Sequence, residues 1–216
     1  EAGLPDGVFN IINGAREAVE GICDHPDIKA VAFVGSSHVA KIVYSRSTAN
    51  GKRALCLGGA KNHMIVVPDA DQDSTAKGLL ASSMGSAGQR CMAASVAVGV
   101  ADVDPIIDQL VEEAKNYKLG VDMGTIVSKA ALDRITNYID EAEKMGAKIL
   151  IDGRNSTPPE GYEDGYWLGA TILDGVDPDW PSAKEEIFGP VLSIIRTSNL
   201  EDAMKIENGN QYGNAA

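Results

Sequence analysis

Cys91 is the residue in this chain best suited to covalent chemistry. It closes on a run of small residues, Gly85-Ser86-Ala87-Gly88-Gln89-Arg90-Cys91-Met92-Ala93, with two glycines before an arginine. A thiolate is the attacking form of cysteine, and a nearby cation or a cluster of amide donors favours it. Arg90 is the adjacent cation. Gly85 and Gly88 permit a tight turn and the close approach of a ligand. At such a turn backbone N–H groups are free to face a bound oxygen. The competing role for a lone cysteine is a small buried hydrophobe, and Cys23 and Cys56 are read that way.

A nucleophile needs a rigid frame, and the flanking sequence supplies alternating strands and helices. Val8 to Ile12 reads as a short apolar strand, Ala15 to Cys23 as a helix, and Ile28 to Val34 as a buried strand ending in Gly35-Ser36-Ser37. Val39 to Ala49 reads as the next helix. This is the grammar of a parallel α/β sheet, whose ligands gather at the carboxyl ends of strands, where Gly35 and Ser36 fall. Ser36 alone is equally well explained as a helix N-cap. Short strands follow at Arg53 to Leu57 and His63 to Val67, then a helix from Gln72 to Met84. After Cys91 come a strand from Ala94 to Val100 and a helix from Pro105 to Tyr117. Ser128 caps a long helix that reaches Met145, with apolar residues at Ile135, Ile139, Ala142 and Met145. Strands at Ala147 to Ile151, Tyr166 to Leu173 and Val191 to Ile195 and a helix from Leu200 to Glu207 complete the pattern. Residues 152–165 read as a surface loop.

The chain has 216 residues and a formal charge of −12, which disfavours nucleic acid and anionic membranes as partners. No run approaches the eighteen or so apolar residues of a membrane span. Three widely spaced cysteines form neither a disulfide framework nor a metal-ligand cluster, so a reducing compartment is expected. His25, His38 and His63 have no metal spacing, and no metal site is expected.

Four elements, in order, resemble the aldehyde dehydrogenase superfamily, and within it the CoA-acylating methylmalonate-semialdehyde branch. They are Phe33-Val34-Gly35-Ser36, Gly59-Ala60-Lys61-Asn62-His63, Gly88-Gln89-Arg90-Cys91-Met92-Ala93 and Glu185-Glu186-Ile187-Phe188-Gly189-Pro190. The resemblance implies an α/β fold made of part of a Rossmann-like cofactor domain (1–58, its C-terminal half) and a catalytic thiol domain (59–216), incomplete at its C-terminus. It also implies a fragment. The family's chain begins before Glu1, with an oxyanion-holding asparagine, and continues past Ala216. The isolated chain is therefore expected to turn over negligibly.

By the same resemblance, Cys91 attacks an aldehyde, passes a hydride to NAD and is left as a thioester. Hydrolytic members carry a glutamate just ahead of the Gly-Gly pair. Two registers place that position at Cys56 or at Leu57, and neither is a carboxylate. Without a base water attacks poorly, whereas a thiol brings its own thiolate, so coenzyme A is the implied acyl acceptor. Arg90 matches an arginine that the branch uses on a substrate carboxylate. Gly35 and Ser36 match the turn near the pyrophosphate, Val39 the adenine wall, and Gly58 a position near the nicotinamide. Glu186 matches the carboxylate for the nicotinamide-ribose hydroxyls, and Phe188 the ring beside that ribose. Read alone, Glu186 fits an ordinary surface acid equally well. The choice of NAD over NADP is carried from the branch only.

The implied partner is a small aldehyde, such as methylmalonate semialdehyde. Unpaired sheet edges predict a homo-oligomer. The implied compartment is the cytoplasm, or alternatively the mitochondrial matrix. The rival readings are a hydrolytic semialdehyde dehydrogenase and a non-catalytic truncated module.

Overall fold

The computed structural model describes residues 2–216, and the chain divides after Gly59 into two units. In the first, helix α1 (Arg16–Asp24) precedes strand β1 (Ala30–Val34), helix α2 (Ser37–Ala49) and strand β2 (Arg53–Leu57). The two strands pair in parallel from Ala30 opposite Arg53 to Val34 opposite Leu57. A parallel pair needs a crossover, and α2 provides it. Ser36 caps α2, accepting the Val39 N–H on its Oγ at 3.4 Å. Lys52 is buried, and its ammonium donates to the carbonyls of Ile22, His25 and Ile28. That knot fixes the end of α1 against the start of β2.

Three expectations fail in this unit. Residues 8–12 form no strand, and Phe9 and Ile11 are exposed. Apolar composition alone does not make a strand without a neighbour to complete its hydrogen bonds. The β1 strand, expected to be buried, alternates between exposed and half-buried residues. Cys56, read as a buried hydrophobe, is only half-buried, whereas Cys23 is fully so.

The second unit is built on strands β3 (Asn62–Val66), β4 (Ala94–Val100), β5 (Lys148–Ile151), β6 (Thr171–Asp174) and β7 (Val191–Thr197). They lie in the order β3-β4-β7-β6-β5, all parallel except β5, which runs antiparallel to β6. The central strands β4 and β7 are buried almost throughout, as a sheet covered on both faces requires. Helices α3 (Gln72–Met84), α4 (Asp104–Lys115), α5 (Lys129–Met145), the short α6 (Pro181–Lys184) and α7 (Leu200–Asn208) complete the unit. Asp71, Ser128 and Asn199 cap α3, α5 and α7 through side-chain oxygens. Gly146 ends α5 in the left-handed conformation, with φ 111°. The strand expected from Tyr166 begins only at Thr171. Ahead of it the backbone is tied locally instead, with the Trp167 indole N–H on the Tyr162 carbonyl.

No helix is long and apolar enough to cross a membrane among the described residues. The core of this unit centres on β4, β7 and the inner faces of α3, α4 and α5.

Ile135 on α5 is fully buried and packs where Gly189 passes over the helix. Truncating Ile135→Ala leaves a cavity, and a loss of about 3–4 kcal/mol is expected in urea unfolding. A loss below ~1 kcal/mol would show that the site collapses freely.

Candidate active site

The turn that carries Cys91 starts where α3 stops. Residues Gly85–Gly88 form a tight turn in which Ser86 and Ala87 both have φ 53° and Gly88 has φ 65°. Left-handed backbone at a residue with a Cβ costs roughly 1–2 kcal/mol, so such a turn persists only under constraint from its surroundings. Ala87 is fully buried. One amino group of Arg90 donates to the carbonyls of Ala81 and Ser82, both at 2.9 Å, closing the end of α3. Gln89 pins the other side, donating to the Thr125 carbonyl at 3.0 Å and accepting the Val127 N–H at 2.9 Å.

Cys91 emerges from this turn with its side chain exposed. Its carbonyl accepts the amide of Asn62 at 2.7 Å and that of Asn214 at 2.7 Å. Asn62, itself buried, also donates to the Ala93 carbonyl at 2.9 Å. The Cys91 N–H donates to no other group among the described residues. A thiol and a free amide donor therefore leave the same residue, next to a guanidinium with only one amino group committed.

A second loop lies against this one. A Cβ added to Gly88 would sit 2.0 Å from the Gly189 carbonyl oxygen, so the two backbones touch. That contact brings the 185–190 segment beside Cys91. One pocket is lined by Ala60, Asn62, Arg90, Cys91, Glu186 and Phe188 with their small neighbours. Phe188 holds φ 53°, an unusual conformation for an aromatic residue, and its ring is partly exposed.

Glu186 is half-buried, and burial pushes its carboxyl above the ordinary carboxylate range. The Ala60 N–H, the Arg134 guanidinium and the Lys61 ammonium oppose that rise. Helix α5 braces the segment from behind. Arg134 donates to the Glu186 carbonyl at 3.3 Å, and the Tyr138 hydroxyl donates to the Glu185 carboxylate at 2.5 Å. Burial and that bond to an anion push the Tyr138 hydroxyl up to about 12.

In the first unit the remaining expected residues gather at the start of α2. Gly35 donates to the Leu57 carbonyl at 3.2 Å and stands two residues after Phe33, whose ring fills the space a Cβ would need. Ser36 caps the helix and Val39 stands partly exposed on its first turn. A Cβ on Gly58 would lie 2.8 Å from the Ser37 hydroxyl, which accepts the Gly59 N–H at 3.0 Å. A helix start with free N–H groups beside a glycine turn is suited to an anionic oxygen. Ser37, Lys41, Tyr44, Cys56 and Gly58 line a concave surface of this unit.

Arg90, Cys91, Glu186 and Phe188 thus meet in one pocket of the second unit, while Gly35, Ser36, Val39 and Gly58 belong to the first. Asn62, Asn214, Ser37, Arg134 and Tyr138 were not foreseen as parts of the site. Asn62 stands inside a motif visible in the sequence, but its role depends on β3 running beside β4, which no local pattern reveals.

The aldehyde dehydrogenase family model matches residues 1–216. The malonate-semialdehyde dehydrogenase of Pseudomonas aeruginosa is 45% identical over 222 residues, covering 99% of this chain and 44% of that protein. The acylating, mitochondrial methylmalonate-semialdehyde/malonate-semialdehyde dehydrogenase of Rattus norvegicus is 46% identical over 220 residues, covering 99% and 41%. A Sinorhizobium meliloti chain, assigned as a methylmalonate-semialdehyde dehydrogenase and crystallised with NAD, superposes with a TM-score of 0.93 at 47% identity, covering 98% and 45%. The chain therefore spans less than half the length of the relatives it matches.

Gly88→Ala tests the backbone contact between the two loops. The added methyl meets a carbonyl at 2.0 Å at a residue with φ 65°, so a destabilisation of about 3 kcal/mol or more is expected by thermal or urea unfolding. Wild-type stability for that variant would refute the contact.

Proposed function

We propose a thiol-dependent aldehyde oxidation for this chain, which belongs to the aldehyde dehydrogenase family. The observation that carries the reading is the pocket in which an exposed Cys91, with its own free N–H, lies with Glu186 and beside the Arg90 guanidinium. The Cys91 thiolate adds to the aldehyde carbon, forming a C–S bond and an alkoxide. The Cys91 N–H is a donor for that oxyanion, and one such donor is typically worth about 3–4 kcal/mol in the transition state. NAD, when bound, accepts the hydride that leaves the same carbon. The carbon is then a thioester on Cys91.

The chain's own residues suit a dinucleotide. Glu186 is a partly buried acceptor for a pair of ribose hydroxyls, and Phe188 is the apolar wall beside it. Gly35 and Ser36, at the start of α2, suit a pyrophosphate, and Val39 and Gly58 leave room for the adenine and nicotinamide ends. These assignments follow the family pattern, and the fit of Glu186 rests on its place in the Cys91 pocket. The residues 1–58 are read as part of the cofactor domain and 59–216 as the thiol domain.

The acyl group is read as leaving to coenzyme A. Glu186 is the one carboxylate among the described residues that line the Cys91 pocket, and a ribose claims it. No carboxylate stands at Cys56 or Leu57 to activate water. A thiolate from coenzyme A attacks the thioester carbon, and the Cys91 thiolate departs restored. For a methylmalonate-type semialdehyde the C–C bond to the substrate carboxylate breaks and carbon dioxide leaves. The electron pair passes into the thioester as an enolate, and the carbon then takes a proton from water. Arg90 is read as holding that carboxylate through the part of its guanidinium not spent on Ala81 and Ser82.

Product analysis on the full-length protein decides between acceptors. Acyl-CoA is expected with coenzyme A present and little acid without it, and Cys91→Ala is expected to abolish both. Acid formed at the full rate without coenzyme A would replace this reading by the hydrolytic one. For Arg90→Met, the KM of a carboxylated semialdehyde is expected to rise ~10–100-fold, the worth of a single hydrogen bond to a charged group. The KM of an uncharged aldehyde of the same length should change little. Equal losses on both substrates would assign Arg90 to the end of α3 alone.

A further inference from the structure

Asn62 is a buried polar residue to which the reaction above gives no part. It opens β3 and is 5% exposed. Its amide donates to the Cys91 carbonyl at 2.7 Å and to the Ala93 carbonyl at 2.9 Å. Carbonyls only accept, so these two bonds decide which end of the amide carries the nitrogen. The Oδ1 at the other end is buried and takes no donor among the described residues. An unpaired buried acceptor is costly, and a leucine would bring none. What asparagine supplies here is its pair of donors.

The sheet is shaped to deliver them. Asn62 pairs with Ala94 and His63 with Val96, so β4 carries one extra residue, Ser95, at this point. Such a bulge re-aims the side chains around it. His63 turns to Glu207 of α7, and Asn62 to the Cys91 turn and its pocket. Within that turn the Ala93 N–H reaches the Arg90 carbonyl at 3.1 Å. That bond fixes the peptide plane that carries the Cys91 N–H, and Asn62 fixes the next plane through its carbonyl. The Cα of Cys91 joins the two planes, so its N–H and its bond to Cβ point in set directions.

We infer that Asn62 is a positioning residue for the oxyanion of the thiol reaction. By holding the Cys91 and Ala93 carbonyls, it keeps the free Cys91 N–H aimed at the oxygen that gains charge when the thiolate adds to a carbonyl. This role rests on Cys91 as the nucleophile, and Asn62 acts through the Cys91 backbone rather than on the substrate. It has no bearing on thiol reactions in which no oxyanion forms.

The test compares two reactions of Cys91 in the full-length protein without NAD. A trifluoromethyl ketone takes the thiolate at its carbonyl carbon. The C–S bond forms, the carbonyl electron pair moves to oxygen, and nothing leaves. Iodoacetamide takes the thiolate at its methylene carbon and expels iodide, with no charge developing on an oxygen. Ketone affinity is read by fluorine NMR, and alkylation by mass spectrometry of the Cys91 peptide. For Asn62→Ala the ketone is expected to bind about 30–100-fold more weakly, while alkylation of Cys91 stays within about threefold of wild type. A merely structural role would slow both alike. Wild-type ketone affinity in Asn62→Ala, or equal losses in both reactions, would overturn the inference while leaving Cys91 the nucleophile. A wild-type protein that forms no ketone adduct on Cys91 would instead remove the thiol reading itself. If Asn62→Ala does not fold, Asn62→Leu fills the space with no donor and is held to the same two outcomes.

Discussion

The second unit is organised around a contact between two backbones. A side chain on Gly88 would strike the Gly189 carbonyl, and one on Gly189 would strike Ile135 of α5. Hydrogen bonds hold the first of these loops to α3 and to the 125–127 segment, and α5 holds the second. Because close-packed interiors do not deform gradually, this contact transmits the position of α5 to the thiol. The left-handed turn at Ser86 and Ala87 is the cost of that approach, and it persists because the hydrogen bonds on either side of it hold the backbone there.

Polar groups in the interior follow from the same geometry. Strand β3 is the edge of the five-stranded sheet and begins with Asn62 and His63, both buried, immediately after the buried Lys61. An edge strand has free backbone groups, and here side chains rather than another strand take up the space beside it. Asn62 spends both amide hydrogens on the carbonyls of Cys91 and Ala93. Asn210, after α7, donates to the Lys61 carbonyl, and Glu207 of α7 takes His63. Burial lowers the histidine's affinity for a proton while Glu207 raises it, and burial is the larger effect. The end of the chain is thus fastened to the strand that backs the thiol.

Much of the fold can be read from local pattern, because local physics sets it. Ser36, Ser128 and Gly146 mark helix ends by capping chemistry that depends on neighbours three or four residues away. The apolar spacing of Ile135, Ile139 and Ala142 on α5 emerges as its buried face. Residues 8–12 mislead because strandhood requires a partner, and composition says nothing of one. Residues 166–170 mislead for the same reason. The Cys91 motif announces itself through its glycines, yet the positive φ values fall on Ser86, Ala87 and Phe188, residues that give no warning of them. Lysine normally reads as a solvent-exposed residue, so the burial of Lys61 becomes visible only when the sheet is assembled. Arg90 reads as a ligand for an anion, and one of its two amino groups instead finds the carbonyls that end α3.

The orientation of the free donor at Cys91 follows from constraints already present. The peptide joining Arg90 to Cys91 is planar, so its carbonyl and its N–H point in opposite directions. The Arg90 carbonyl accepts the Ala93 N–H at 3.1 Å, which fixes that plane. The next plane is fixed by Asn62 and Asn214 on the Cys91 carbonyl. Clamped on both sides, the Cys91 N–H has one direction available to it before any substrate arrives. A donor that need not reorganise as charge develops on an oxygen is worth more than one that must turn to meet it. The three hydrogen bonds to two carbonyls thus bear on the proposed chemistry indirectly. Their effect is on the one N–H they leave free.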